Sequence, residues 1–156
     1  MNKTVNPVPE GHRTIAPCLV VKSAEAALAF YRAAFGAAEL MCIRDSEGRV
    51  MHAEIQIGDS RLMLMEECPE MQILSPESLG GTPVSIHLYV PDADGLFRQA
   101  TDAGASVVAP PKDQIHGDRC GSVRDPFGHL WQIATHQEDV PLDELQARFE
   151  TLCFTY

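Results

Sequence analysis

The feature that most constrains this chain is an internal repeat. Val21-Lys22-Ser23-Ala24 and Val90-Pro91-Asp92-Ala93 stand 69 positions apart, at the same place in two successive copies of one pattern. Each copy runs apolar stretch, capping residue, helical stripe, glycine, then three further apolar stretches. A repeat of this length is one supersecondary unit that cannot bury its apolar surface alone. Each copy reads as βαβββ, with one sheet face under the helix and the opposite face left concave. Pairing the two predicts an α+β fold in which two βαβββ modules form a cupped, eight-stranded mixed sheet around a small-molecule pocket.

In the first copy the expected first strand is Thr14–Val21, with Ile15, Leu19 and Val21 on one side. Pro17 places it at an edge or a bulge, because proline donates no ladder hydrogen bond. Ser23 is the expected N-cap. Ala24, Ala27, Leu28, Tyr31 and Phe35 follow at the spacing of one buried helical stripe, and Gly36 ends the helix. Strands are expected at Ala38–Arg44, Arg49–Ile57 and Ser60–Glu66, with Ser46-Glu47-Gly48 and Gly58-Asp59 as hairpin turns. Glu67–Pro83, polar and rich in Pro, Gly and Ser, reads as a linker with one short helical turn.

The second copy begins with a strand at Val84–Val90 and a helix capped by Asp92, carrying Ala93, Leu96, Phe97, Ala100 and Ala103 on one face and closed by Gly104. Strands are expected at Ala105–Val108, Gly121–Arg124 and His129–Ala134, with Asp125-Pro126-Phe127-Gly128 as a tight turn. Pro110–Cys120 reads as an irregular arm. The organisation is therefore a loose lead-in (1–13), one domain (14–136, with modules 14–67 and 84–135) and a tail (137–156). Leu142, Leu145 and Phe149 in that tail predict a short helix over Pro141–Phe149.

Charge and cysteine content narrow the function. The net charge of −10 disfavours nucleic acid and anionic membranes as partners. No stretch approaches the roughly 18 apolar residues of a membrane span, and MNKTVNPVPEGHRT has no apolar leader region. Five cysteines without a CxxC pair suit reduced thiols, so the expected location is the cytoplasm.

Strand alternation selects the residues of the concave face. If Ala53, Ile55 and Ile57 pack under the helix, His52, Glu54 and Gln56 point into the cup; by the same parity Ser85, His87 and Tyr89 point inward. Cys18, Met63, Met65 and Gln132 join them. Glu54 with His52 or His87 is the candidate acid–base set. Cys18, Gln56, Met63, Met65, Ser85, Tyr89, Arg119 and Gln132 are the candidate ligand-binding residues. Two plainer readings stand beside these: His52 and Glu54 hydrogen-bonded across strands at a seam or at solvent, and Arg119 paired with Asp118 or Asp125 to pin the arm.

Three stretches, LVVKSAEAALAFYRAAFGAAE (Leu19–Glu39), MHAEIQIGDSRLML (Met51–Leu64) and GDRCGSVRDPFGHLWQIAT (Gly117–Thr135), resemble the vicinal oxygen chelate superfamily. Within it they look most like the PhnB-type, glyoxalase- and bleomycin-resistance-like branch. The resemblance covers about residues 14–136 and implies the cupped fold described above. The branch carries an aromatic pair before its Gly-Asp-Arg, where this chain has Ile115-His116. The superfamily's metal enzymes hold a divalent ion on four inner-face positions, which correspond here to Ala16, Met63, Ser85 and Gln132. Only Gln132 suits a hard cation, so the resemblance implies a degenerate site and no metal cofactor. It also implies a homodimer. The function expected is binding or sequestration of a small organic ligand. The alternative is a glyoxalase-like lyase or isomerase, or a transferase, using His52, Glu54 or His87 with or without a divalent metal. A third reading is an interaction module with a vestigial cup.

Overall fold

The computed structural model describes residues 5–153. The chain forms two compact units that divide between Thr82 and Pro83. In the first, β1 (Cys18–Val21), α1 (Ala24–Phe35), β2 (Ala38–Arg44), β3 (Val50–Ile57) and β4 (Ser60–Glu66) are followed by a 3-10 turn (Pro69–Met71) and the short α2 (Pro76–Leu79). In the second, β5 (Ser85–Tyr89), α3 (Ala93–Asp102), β6 (Ser106–Asp113), β7 (Asp118–Arg124) and β8 (Leu130–His136) are followed by α4 (Leu142–Cys153). The α+β class and the two βαβββ modules are thus those the repeat predicts. The eight strands are hydrogen-bonded as two sheets of four, ordered β1-β4-β3-β2 and β5-β8-β7-β6. Each is mixed, because its first strand pairs in parallel with its last while the other pairs are antiparallel.

The helix termini follow from their sequence. The Ser23 hydroxyl accepts from the Ala26 amide at 3.4 Å, and Gly36 closes α1 in the left-handed region at φ 65°. The predicted stripe of α1 is buried in full, with Phe30 and Ala34 beside it. Asp92 caps α3 by accepting from Gly95 at 2.9 Å. α1 packs on β3 and β4; α3 packs on β6, β7 and β8, where Phe97 and Ala100 are buried with Val123, Trp131 and Ile133.

One turn recurs in both units. Arg44-Asp45-Ser46-Glu47-Gly48 joins β2 to β3, and Arg124-Asp125-Pro126-Phe127-Gly128 joins β7 to β8. In each, one Asp oxygen accepts two backbone amides: Glu47 and Arg49 at 2.9 Å, and Phe127 and His129 at 2.9 and 2.8 Å. In each the preceding arginine donates to the glycine carbonyl at 3.1 Å. Two aspartates therefore set the register of two hairpins by the same local bonds.

Four expectations need correction. β1 starts at Cys18, after Pro17 rather than before it, and Ile15 is exposed. The Pro17 carbonyl still accepts from Met63 at 2.8 Å, but proline interrupts the ladder there. The irregular arm is instead a hairpin: β6 runs to Asp113 and β7 starts at Asp118. Pro110-Pro111 are accommodated because β6 is an edge strand and is bulged, with Ala109 opposite Ser122 but Lys112 opposite Cys120. Val84 lies outside β5 and is exposed rather than packed. The tail helix extends past Phe149, and Leu142 and Phe149 are exposed, so their spacing reflects no buried face. Among the described residues no helix is long and apolar enough to cross a membrane.

Candidate functional site

Each sheet has a face turned away from its helix, and the register aligns the side chains on it. On the first sheet Cys18 stands opposite Met63, Met63 opposite Glu54, and Glu54 opposite Met41. Ala53, Ile55 and Ile57 are buried on the helix side, while His52, Glu54 and Gln56 alternate away from it, as parity predicts. Val50 is buried despite its even number. β3 places both Val50 and Met51 against the single step from Ile43 to Arg44, a bulge that resets the alternation.

Glu54 is an enclosed polar group on this face. Its side chain is 14% exposed, with the His52 ring at 3.8 Å and His12 at 3.4 Å. His12 belongs to the lead-in. Arg61, on β4, donates to the Glu10 carbonyl at 3.0 Å and lies 3.3 Å from His12 Nδ1. Gly11, at φ 78°, leaves its backbone open to the Arg61 guanidinium where a Cβ would collide. No periodicity reaches His12; the usable hint is an arginine at an open-face position of β4. Gln56 is tied back to the Gly58 carbonyl at 3.0 Å, across its own turn. Met65, opposite Val20, completes the predicted set on this sheet.

On the second sheet two rows stand out. His87 faces Gln132, which faces Ser122, which faces Ala109; Tyr89 faces Ala134, which faces Cys120, which faces Lys112. Gln132 is committed on both atoms. Its amide oxygen meets His87 Nδ1 at 3.1 Å, and its amide nitrogen donates to Ser85 Oγ at 3.4 Å. With the oxygen accepting, the His87 proton sits on Nδ1 and leaves Nε2 to the open face. The His87 and Tyr89 rings lie 4.6 Å apart, tilted at 44°. Against these rows lies a recess of about 210 Å³ bordered by His87, Lys112, Gln114, His116, Cys120 and Gln132, together with Ala109, Pro110 and Ser122. Lys112, Gln114, Cys120 and Ser122 were not among the predicted site residues. The proline pair hides the strand alternation that places Lys112.

Behind the recess lies a carboxylate that sequence alone does not single out. Asp118 is 2% exposed, and it accepts from the Tyr89 hydroxyl at 2.9 Å and from His136 Nδ1 at 2.7 Å. His116 Nε2 lies 3.4 Å away, and His136 Nε2 meets Asp139 at 3.0 Å. Burial opposes ionisation of Asp118. The bonds from His136 and Tyr89 outweigh it and hold the carboxyl below its usual range. The same bonds raise Tyr89, chiefly through Asp118, and raise His136 through Asp118 and then Asp139. Burial, aided by Asp118, pushes the Cys120 thiol up.

Arg119 turns to α3 and to the end of β6. It sits one position out of phase with Asp118 and Cys120, and its guanidinium reaches Asp94 of α3 at 2.8 Å and Asp113 at 3.1 Å. Its partners are thus neither Asp118 nor Asp125. Asp125 is occupied by its own turn and by Trp131 Nε1 at 2.9 Å. A larger recess of about 360 Å³ in the first unit is bordered by Arg49, Cys68 and Glu70, with Glu66 and Glu67 among its lining residues. Glu66 accepts from the Ala24 amide, and Glu67 accepts from Ser75 and Ser78.

The four positions that would hold a divalent ion do not fit one. Ala16 has no donor atom, Met63 offers a thioether, and Ser85 and Gln132 are bonded to each other, with Gln132 also bound to His87. Among the described residues no three His, Cys, Asp or Glu side chains are grouped so as to hold an ion. The repeat places Cys18 and Met63 in the first unit where His87 and Gln132 stand in the second, each pair directly opposed in its own register.

The model of the glyoxalase/bleomycin resistance protein/dioxygenase superfamily matches residues 12–133. The uncharacterized protein Mb0911c of Mycobacterium bovis is 44% identical over 136 residues, covering 85% of this chain and 90% of that protein. The crystal structure of TioX from Micromonospora sp. ML1 superposes with a TM-score of 0.65 at 26% identity, covering 80% of this chain and 98% of that one. The fosfomycin resistance protein FosX from Mesorhizobium loti shares the fold, with a TM-score of 0.59 at 17% identity over 85% and 95% of the two chains.

Proposed function

The chain belongs to the glyoxalase/bleomycin resistance protein/dioxygenase superfamily, and from that premise we propose that it binds and sequesters a small organic ligand in the recess beside His87 and Gln132. The observation that carries this reading is the His87–Gln132–Ser85 chain of hydrogen bonds. It fixes a ring and an amide in advance, so that binding has little side-chain ordering left to pay for. Open polar groups around a recess are what a ligand site needs, whereas the donor set is poor for a metal. The motif AFYRAAFGA and the turn DPFGH support the PhnB-type branch within the family. Four free cysteines among the described residues support a cytoplasmic protein. Leu40, Met41 and Ile43, exposed on the edge strand β2, support a homodimer.

The test is a thermal-shift screen of small organic molecules followed by calorimetry. A compound that binds the wild type and is lost in His87→Ala and Gln132→Ala, and that is recovered chemically unchanged, is the expected result. Recovery of a converted product would replace sequestration with catalysis. That second reading, a lyase, isomerase or transferase, is favoured by one observation: Glu54 lies between His12 and His52 in an enclosed position. Loss of turnover in Glu54→Gln would then assign the base. Zinc, nickel, manganese and iron(II) titrated in parallel check the degenerate metal site. Stoichiometric binding that disappears in His52→Ala or Glu54→Ala would restore a metalloenzyme.

A further inference from the structure

Building on the ligand site proposed beside His87 and Gln132, we infer that its ligand is an anion, a small carboxylate or phosphate ester whose charge is taken by Lys112. The chain carries 22 acidic residues against 12 lysines and arginines, yet no carboxylate borders this recess. Its polar border consists of one ammonium, two imidazoles, two carboxamides, a hydroxyl and a thiol. The thiol of Cys120 is held protonated by burial and by Asp118, so it adds no negative charge. Asp118 is taken by Tyr89 and His136, with His116 beside it, and Asp113, next to Lys112 in sequence, is paired with Arg119.

Lys112 makes no ion pair among the described residues, in contrast to Arg119 a few residues away, which is held by two aspartates. The register sets Lys112 opposite Cys120 on the open face. A neutral ligand covering this ammonium would strip its water and return nothing, which is unfavourable. An anion replaces that water with a charge-assisted bond. A cation is repelled. The volume of about 210 Å³ corresponds to about seven waters, which suits a single ring or a short chain.

Three probes of one size make the test: benzoate, phenyl phosphate and the neutral benzamide. Each is titrated into the full chain and followed by amide shifts in ¹H–¹⁵N spectra and by calorimetry. Benzoate or phenyl phosphate is expected to shift Gln114, Cys120 and Ser122, and to weaken about tenfold in Lys112→Gln and again with added salt. Lys112→Arg retains binding. The tighter of the two anions tells a carboxylate source from a phosphate source. Benzamide binding as tightly as benzoate overturns the inference, as does an unchanged affinity in Lys112→Gln, or shifts confined to other surfaces. If benzamide or a neutral screening compound binds beside Gln132 and is lost in Gln132→Ala, the ligand site stands and only the anion inference falls. If no probe and no screened compound perturbs these residues, both fall.

Discussion

The Tyr89 hydroxyl donates to the buried Oδ2 of Asp118 at 2.9 Å, linking β5 to β7 across the intervening β8. The tyrosine ring is largely exposed, but its hydroxyl satisfies one oxygen of a carboxylate that water scarcely reaches. Removing one partner of a buried acceptor costs more than the mean bond is worth. Tyr89→Phe is therefore expected to lower stability by about 1–2 kcal/mol, or roughly 2–6 °C in melting temperature for a chain of this size. Calorimetry checks this. An unchanged melting temperature would mean that His136 and His116 alone hold Asp118.

The same cluster predicts how stability varies with pH. His136 is raised in the folded state, so its contribution is complete below about pH 6.5, the value of an unfolded histidine, and is lost as pH rises through the folded value. Asp118 is lowered, so its contribution is complete above about pH 3.9 and is lost as pH falls through its folded value. Both are present between about pH 4 and 6.5. The urea midpoint is expected to be higher at pH 5.5 than at pH 8.5, with a smaller difference in His136→Gln. Identical pH dependence in that variant would remove His136 from the account.

Asp125 holds three donors at once: the amides of Phe127 and His129, and Trp131 Nε1. Trp131 is fully buried and is the only tryptophan of the chain. Asp125→Ala leaves all three without their acceptor, at an expected cost of about 3 kcal/mol or more. Denaturant unfolding followed by Trp131 fluorescence measures it directly. A loss within about 0.5 kcal/mol, the size of an ordinary surface change, would show that the backbone alone sets the turn.

Much of this fold could be read from local rules. The buried stripe of α1, both N-caps, Gly36 and the Asp125 turn follow from spacing and residue type, and β2 and β4 fall at the predicted bounds. The parity of β3 and β4 placed His52, Glu54, Gln56, Met63 and Met65 away from the helix. What local rules miss is contact made at long range. His12 meets Glu54 directly through Nε2, and Arg61, 49 residues away in sequence, meets its Nδ1. The recess of the second unit depends on a bulge that lets two prolines lie in an edge strand, where composition alone suggests a loop. Asp118 looks like an ordinary turn residue until Tyr89 and His136 arrive from other strands.

The last contact to test joins the tail to the candidate site. Arg148, on α4, donates to the Ile115 carbonyl at 3.0 Å and to Glu138 and Glu144 at 2.7 and 2.6 Å. Gly117 lies in the same turn, and its carbonyl accepts from Gln137 and Glu138 at 2.9 and 3.0 Å. Leu142 and Phe149 are exposed, so their spacing gives α4 no apolar anchorage, and Arg148 ties the helix to the Ile115 carbonyl beside His116. Arg148→Ala is expected to speed amide exchange in α4 and in residues 114–117 by about tenfold or more, as local opening becomes easier, while the Trp131 core stays protected. If His116 and Gln114 serve the ligand, binding at Lys112 weakens in the same variant although the residue touches no ligand. Unchanged exchange in the turn would detach α4 from the site.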